Sequence, residues 1–187
     1  MYIFGYGSLI NRHSRTLTGQ TQEAIPATVS GLQRHWGKVE GNYPISPLVA
    51  AVGEGMCNGV LVSVDKSALA QFDQRERGYN RIELDPMQFE TPHLFDTNQP
   101  IWVYTKSLPE PPCMIKPIMQ TYVDTVLCGC LSISDDFAKT FIDTTQGWHH
   151  PLENDRHQPK YGNFAGVRNE HIAHIDRLLT TVRTTCH

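Results

Sequence analysis

The sequence has no run approaching the roughly 18 apolar residues that a membrane-spanning helix requires. No basic segment followed by a long apolar one opens the chain, so no signal peptide is expected and a cytoplasmic protein is. Positive charge is not in excess. The formal net charge of -3 argues against a dedicated nucleic-acid binder and leaves the choice of small molecule open. Cysteine is sparse and unpaired in pattern: Cys57, Cys113, Cys128, Cys130 and Cys186 make an odd number, with no Cys-x-x-Cys. That excludes a disulfide framework as the expected scaffold and fits a reduced compartment. Cys128 and Cys130 are too isolated and too close together to form a zinc site by themselves. Internal repeats and low-complexity tracts are also missing.

What is present reads as a globular protein: 40% apolar and 19% charged residues over a chain of 187, long enough to bury a real core. "MYIFGY" patterns as a first strand, "ATVSGLQRHWG" (27–37) as a second, and "PLVAAVGEG" and "MCNGVLVSV" as two further buried strands. The polar stretch between the first two reads as a loop with room for a short helix. "DKSALAQFDQRERG" switches to helical period, with Asp65 as N-cap and Gly78 just past the end. "YNRIELDPMQFET" and "IWVYT" return to strand patterning, and the proline-rich "SLPEPPCMIKP" must be a loop. Two helices follow, over "IMQTYVDTVLCGCL" and over "SDDFAKTFIDTTQGW", the second capped by Ser134, with Asp135 and Asp136 in its first turn and Gly147 to end it. After the irregular "HHPLENDRHQPKYGNFAG", an amphipathic helix over "RNEHIAHIDRLLTTVR" closes the chain. The expected fold is α+β: one domain over 1–187, a mostly antiparallel or mixed sheet within 1–105, curled toward a small barrel, and a helical extension over 115–187.

Two local features invite a functional reading. The first is "YIFGYGSLI", where a strand breaks on Gly5 and Gly7 around Tyr6. Glycines there let the backbone bend and approach a ligand, the turn amides can form an anion-binding concavity, and Ser8 adds a hydroxyl. The loop lacks the lysine of a phosphate loop and the third glycine of a dinucleotide fingerprint, and an ordinary tight turn explains it equally well in isolation. The second is Glu76. Leu69, Phe72 and Glu76 are spaced three and four apart and share one helix face, so Glu76 is expected to point inward or into a cleft. It also falls in the last turn, where the helix dipole disfavours a negative charge. A carboxyl in such a place is expected to hold its proton more tightly and to exchange it near neutral pH. The flanking Arg75 and Arg77 are expected to face other ways; a surface glutamate paired with arginine is the competing reading.

The remaining polar constellations point less clearly. His149, His150 and His157 lie near Glu153 and Asp155, but without a helical His-x-x-x-His or a cysteine partner they read as a polar loop or a lid rather than a metal site. Trp148, Arg156, Lys160 and Tyr161 are candidates to touch the far end of a substrate. His171 and His174 read as a solvated helix face, and Trp36 and Trp102 as core or rim aromatics.

Taken in order, "FGYGSL", "CNGVLVSV" and "LAQFDQRERGYNRIEL" resemble the gamma-glutamylcyclotransferase-like family over roughly residues 1 to 105. The pairing of Tyr-Gly-Ser-Leu with a later Arg-Glu and Gly-Tyr leans toward its ChaC-like branch, which often shows two glycines before the tyrosine where this chain has one. The resemblance implies a small mixed β-barrel with packed helices. It implies a glycine loop, Tyr6, Gly7, Ser8 and Leu9, that holds a gamma-glutamyl group through backbone amides. It maps the catalytic glutamate to Glu76 and a substrate-binding tyrosine to Tyr79. The implied reaction is intramolecular aminolysis of glutathione or another small gamma-glutamyl compound to give 5-oxoproline, with no metal or organic cofactor. A non-catalytic binding protein of the same fold and a gamma-glutamylamine cyclotransferase are the alternatives. The oligomeric state is left open.

Overall fold

β-Branched residues crowd the positions that form the central strands, and the chain buries them on both faces of one sheet. The computed structural model describes residues 1–19, 22–39, 44–107 and 109–183; Cys186 lies outside the described residues. Strand β1 (Tyr2–Gly5) runs into a 3₁₀ turn at Ser8–Ile10 and the short helix α1 (Arg12–Leu17). Asn11 caps α1, accepting from the His13 and Ser14 amides at 2.9 and 3.3 Å. The long strands β2 (Ala24–Trp36) and β3 (Leu48–Ser63) follow, then helix α2 (Lys66–Arg75) and strands β4 (Asn80–Leu84), β5 (Phe89–Glu90) and β6 (Ile101–Thr105). The C-terminal part holds β7 (Ile118–Met119), α3 (Gln120–Leu131), α4 (Asp135–Thr144), β8 (Thr145–Gln146), β9 (Leu152–Glu153) and α5 (Asn169–Arg183).

The main sheet runs β4-β6-β1-β3-β2-β5, with β8 added beside β2. The β1–β6 and β2–β8 pairs are parallel and the others antiparallel. This mixed sheet curls into a half-barrel against the helices, an α+β fold.

Several elements differ from the sequence expectation. Helix α4 ends at Thr144 rather than at Gly147, because Thr145 and Gln146 are extended and pair with Arg34 and His35. "PLVAAVGEG" and "MCNGVLVSV" are one strand, not two. β2 pairs with β3 from Ala24↔Val62 to Ser30↔Met56 and again from Leu32↔Val52 to Trp36↔Leu48, so the ladder holds the chain on both sides of Gly53 and Gly55. Between these stretches residues 53–55 of β3 stand opposite Gly31 of β2, at φ of 86°, so the extra residues bulge on β3. The expected strand over "YNRIELDPMQFET" is split because Pro86 cannot donate to a ladder, and Asp85 and Gln88 form a capping box around a 3₁₀ turn. Helix α3 begins at Gln120, because Ile118 and Met119 pair with Leu152 and Glu153 in a second, two-stranded sheet.

Both faces of the main sheet are buried. Phe4, Leu61, Val29 and Val103 form the inner cluster on one face. Ile3, Val60 and Val62 pack from the other face with Val123, Leu127, Phe141 and Ile175 of the helices. This two-sided packing explains why β3 is buried without interruption over residues 57–62. Helix α3 is buried from Gln120 through Cys130 and lies at the centre of the helical layer. Each large side chain buried here contributes about 1.5–3 kcal/mol relative to exposure.

Candidate active site

The chain leaves β1 at Gly5 and turns back on itself. A Cβ at Gly5 would lie 2.6 Å from Leu9 Cβ, and one at Gly7 would lie 3.2 Å from the Tyr122 hydroxyl. Glycine is needed at these positions for close approach of other side chains, which the sequence reading did not anticipate. The turn is closed by Ile10 N–H donating to the Gly7 carbonyl and Asn11 N–H donating to the Ser8 carbonyl, both at 3.0 Å. Among the described residues, no backbone carbonyl accepts from the Gly7, Ser8 or Leu9 amides. The Tyr6 hydroxyl donates to the Tyr104 carbonyl at 2.8 Å and fixes the head of the loop.

Two arginines hold the loop from behind. Arg15 Nη1 donates to the Leu9 and Ile10 carbonyls at 2.6 and 3.1 Å. Arg34, on β2 and fully buried, donates to the Tyr6 carbonyl at 3.3 Å and to the Asn58 carbonyl and Oδ1 at 2.6 and 3.0 Å. Its other bonds reach the Phe141 carbonyl, Thr144 Oγ1 and Thr145 Oγ1 at 3.1, 3.1 and 2.7 Å. Its guanidinium carbon also stacks 3.7 Å over the Phe141 ring. Burial brings Arg34 down to about 10, so it remains a cation at neutral pH. No local pattern marks this role for Arg34, because its acceptors come from the loop after β1 and from β3, α4 and β8.

The facing wall is the end of α2. Asp65 caps the helix through Ala68 N–H at 2.7 Å. The helix ends one residue before Glu76, which occupies the C-cap position, with its amide donating to the Phe72 carbonyl at 2.8 Å. Gly78, at φ of 92°, reverses the chain, and Tyr79 N–H returns to the Glu76 carbonyl at 3.0 Å. Phe72 is buried, Leu69 half-buried, and the Glu76 side chain is 26% exposed at the cleft wall. The expectation that Arg75 faces away is corrected: its Nε meets Glu76 Oε1 at 2.9 Å. Because Glu76 has left helical geometry, the helical angle between neighbours no longer separates the two side chains.

Between these walls lies an inner cavity of about 130 Å³ and, continuous with it through shared lining residues, an outer one of about 220 Å³. Tyr6, Gly7, Ser8, Leu9, Glu76 and Tyr79 all line the inner cavity. Sequence reasoning missed Tyr104 of β6 and Tyr122 of α3 there, and Asn163 in the outer cavity; Tyr161, raised only as a candidate, also lines the outer one. Tyr122 and Tyr161 stack in parallel, with centroids 4.2 Å apart and planes 3° apart. No local pattern marks Tyr122; it is one apolar position among many on α3.

Burial first, then neighbouring tyrosine and glutamate charges, pushes the Tyr6 phenol well above its ordinary range; burial does the same for Tyr122 and also raises Tyr161. Burial and the Asp73 carboxylate that it faces raise Tyr104. These phenols stay protonated at neutral pH and serve as hydrogen-bonding groups. Glu76 is the one carboxylate among the residues lining the two cavities.

The other candidates fall elsewhere. Trp148 is core, donating to the Ile142 carbonyl at 3.1 Å, and Lys160 pairs with Glu153. Arg156 grips buried Asp124 through two bonds of 2.7 and 2.8 Å and also reaches Asp176 on α5. Asp155 is buried at the start of α3, accepting from Thr121 N–H and the Lys160 amide at 2.8 Å each. The His149 and His150 rings lie 3.9 Å apart. Among the described residues no group of three or more His, Cys, Asp or Glu is placed to hold a metal ion. Trp36 is core, while Trp102 sits at the rim with Arg81 4.8 Å above its ring. No described helix is long and apolar enough to cross a membrane.

Residues 3–120 match the family model described as gamma-glutamyl cyclotransferase, AIG2-like. The chain belongs to this family. The matched segment contains the glycine loop, Glu76 and Tyr79, and ends at the first residue of α3. No curated protein matches the chain. The cyclotransferase fold recurs in a solved structure named gamma-glutamyl cyclotransferase (15% identity, TM-score 0.60, covering 96% of this chain and 98% of that one). It recurs also in an uncharacterized human protein (16% identity, TM-score 0.60, 96% and 97%). A third is YkqA from Bacillus subtilis (20% identity, TM-score 0.56, covering 74% of this chain). The match spans about half, 51%, of the length of YkqA.

Proposed function

We propose that the protein is a gamma-glutamyl cyclotransferase releasing 5-oxoproline from glutathione or another small gamma-glutamyl compound. The observation that carries this reading is the placement of Glu76 opposite the free amides of the glycine loop across one small cavity. In the proposed reaction the free α-amine of the substrate attacks its own γ-carbonyl carbon. A C–N bond forms to close a five-membered lactam, and the original amide C–N bond breaks. The ring nitrogen loses a proton and the departing amine gains one, so a single carboxylate that takes the first and returns the second balances the step. Because the reacting groups share one molecule, the main demand on the protein is a held geometry.

The Gly7, Ser8 and Leu9 amides are assigned to the α-carboxylate or the developing oxyanion, and Glu76 to proton transfer. Arg75 steers the Glu76 carboxylate through their ion pair. Tyr79 and Tyr122 complete the walls. Tyr-Gly-Ser-Leu at residues 6 to 9 together with Arg75, Glu76, Gly78 and Tyr79 supports placement in the ChaC-like branch, which rests on these motifs alone.

The test is 5-oxoproline release from a panel of glutathione, gamma-glutamyl amino acids and gamma-glutamyl-lysine. Release from glutathione or a gamma-glutamyl amino acid is expected. Release from gamma-glutamyl-lysine alone would favour the amine-specific reading, and binding without release across the panel would favour a non-catalytic binding protein.

A further inference from the structure

Behind the glycine loop, separate from the two cavities above, lies a third cavity of about 420 Å³. Arg12, His13, Arg15, Ser132, Gly166 and Arg168 contribute to its lining, and no carboxylate does. Three permanent cations therefore line one concave space, Arg12 and Arg168 exposed and Arg15 buried. Among the described residues their acidic partner is Glu170, 3.6 Å from Arg168 Nη1 and largely exposed, a weak and solvent-screened contact.

Arg15 makes this more than a basic surface. It is 5% exposed, and its Nη1 donates to the Leu9 and Ile10 carbonyls. Its Nε is buried without a hydrogen-bond partner among the described residues. A guanidinium has five donors in a rigid fork, and a buried donor without an acceptor is costly. Burial, and then the nearby Arg12 charge, lower its proton affinity. The chain bends tightly around the cavity: a Cβ at Gly166, at φ of 66°, would lie 2.7 Å from Asn11 Oδ1 and from His13 Cδ2.

We propose that this cavity is a binding site for an oxyanion of the phosphate class, held by Arg12, Arg15 and Arg168. A tetrahedral oxyanion presents several acceptors and neutralises two or more of these charges at once, the arrangement in which charge-assisted hydrogen bonds are strongest. The volume accommodates either a free anion or the phosphate end of a larger molecule. The Arg15 guanidinium that would meet the anion is the one that holds the Leu9 and Ile10 carbonyls, so the site abuts the catalytic loop from behind.

Binding is measured by isothermal titration at constant ionic strength, with orthophosphate, pyrophosphate and adenosine 5′-monophosphate as separate arms. Arg15 supports the loop and its substitution endangers folding, so the variant is the exposed pair Arg12→Ala with Arg168→Ala. Saturable binding in at least one arm, weakened about tenfold or more in the double variant, is expected. The free anions binding points to a simple oxyanion, and the nucleotide alone binding points to a phosphate ester. No saturable binding in any arm, or equal affinity in the folded double variant, overturns the proposal. Neither outcome depends on turnover, so the cyclotransferase reading stands or falls separately.

Discussion

The two sides of the cleft are held by different physics. On the sheet side, β1, β2 and β3 position Tyr6 to Leu9 through ladder hydrogen bonds and close steric fits such as Gly5 against Leu9. On the helical side, Tyr122 and Tyr161 are positioned by buried polar clamps. Arg156 ties Asp124 of α3 to Asp176 of α5, and Asp155 caps α3 from a loop 34 residues away. Arg34 joins the sides, donating to Tyr6 and Asn58 on one and to Phe141, Thr144 and Thr145 on the other. A sheet wall of this kind tolerates loss of any one bond, because its neighbours hold the register. A clamp fails when one member goes, because the partner is left buried and charged.

This contrast sets the expected order of effects. Arg34→Met strips the donor from acceptors on both sides and is expected to cost about 3–5 kcal/mol in urea unfolding, after the gain from no longer burying a cation. Arg34→Lys should not restore it, since an ammonium cannot span the same acceptors. An unchanged midpoint in Arg34→Met would mean that the two sides are not joined there. Arg156→Ala leaves Asp124 with Gln120 Nε2 at 2.8 Å as its remaining side-chain partner and is expected to cost about 3 kcal/mol. Tryptophan fluorescence during unfolding would report it, and a loss below about 0.5 kcal/mol would place the pair with ordinary surface ion pairs.

On the sheet side, Gly7→Ala brings a methyl against the Tyr122 hydroxyl. It is expected to lower stability by only about 1 kcal/mol while disturbing the cavity. Combining it with Tyr122→Phe, which removes that hydroxyl, should recover part of the lost turnover, and no recovery would relocate the clash. The smallest effect is on acid stability. Burial lowers the proton affinity of His35 on β2 and, together with the His149 charge, that of His150. With folded values depressed, the unfolded chain binds more protons below about 6.5. Stability is therefore full above that pH and falls as pH drops through the folded values. Melting temperature against pH should show this fall, and His35→Gln should flatten it; an identical profile would assign the loss to other groups.

The same division governs what could be read from the sequence. Gly5 and Gly7 interrupting a strand, and Leu69, Phe72 and Glu76 on one helix face, are local patterns, so the two walls that they build were visible. Asp65 and Ser134 announced their helix starts for the same reason, whereas α4 ends at Thr144, ahead of Gly147. Tyr122, Arg34 and Asp155 act through partners distant in sequence, and no spacing rule exposes such meetings. Gly53 and Gly55 misled because they mark a bulge inside one long strand, opposite Gly31, with the β2 ladder resuming on both sides of it.

In the proposed reaction Glu76 moves the protons of ring closure in the cavity that it shares with the glycine loop. Glu76→Gln keeps the shape and removes the titrating group, so 5-oxoproline release, melting temperature and substrate binding should be measured on the wild type and this variant together. Release reduced by about three orders of magnitude or more, with melting and binding nearly unchanged, is the expected result. Release at the wild-type rate from a folded Glu76→Gln protein would contradict the assignment outright.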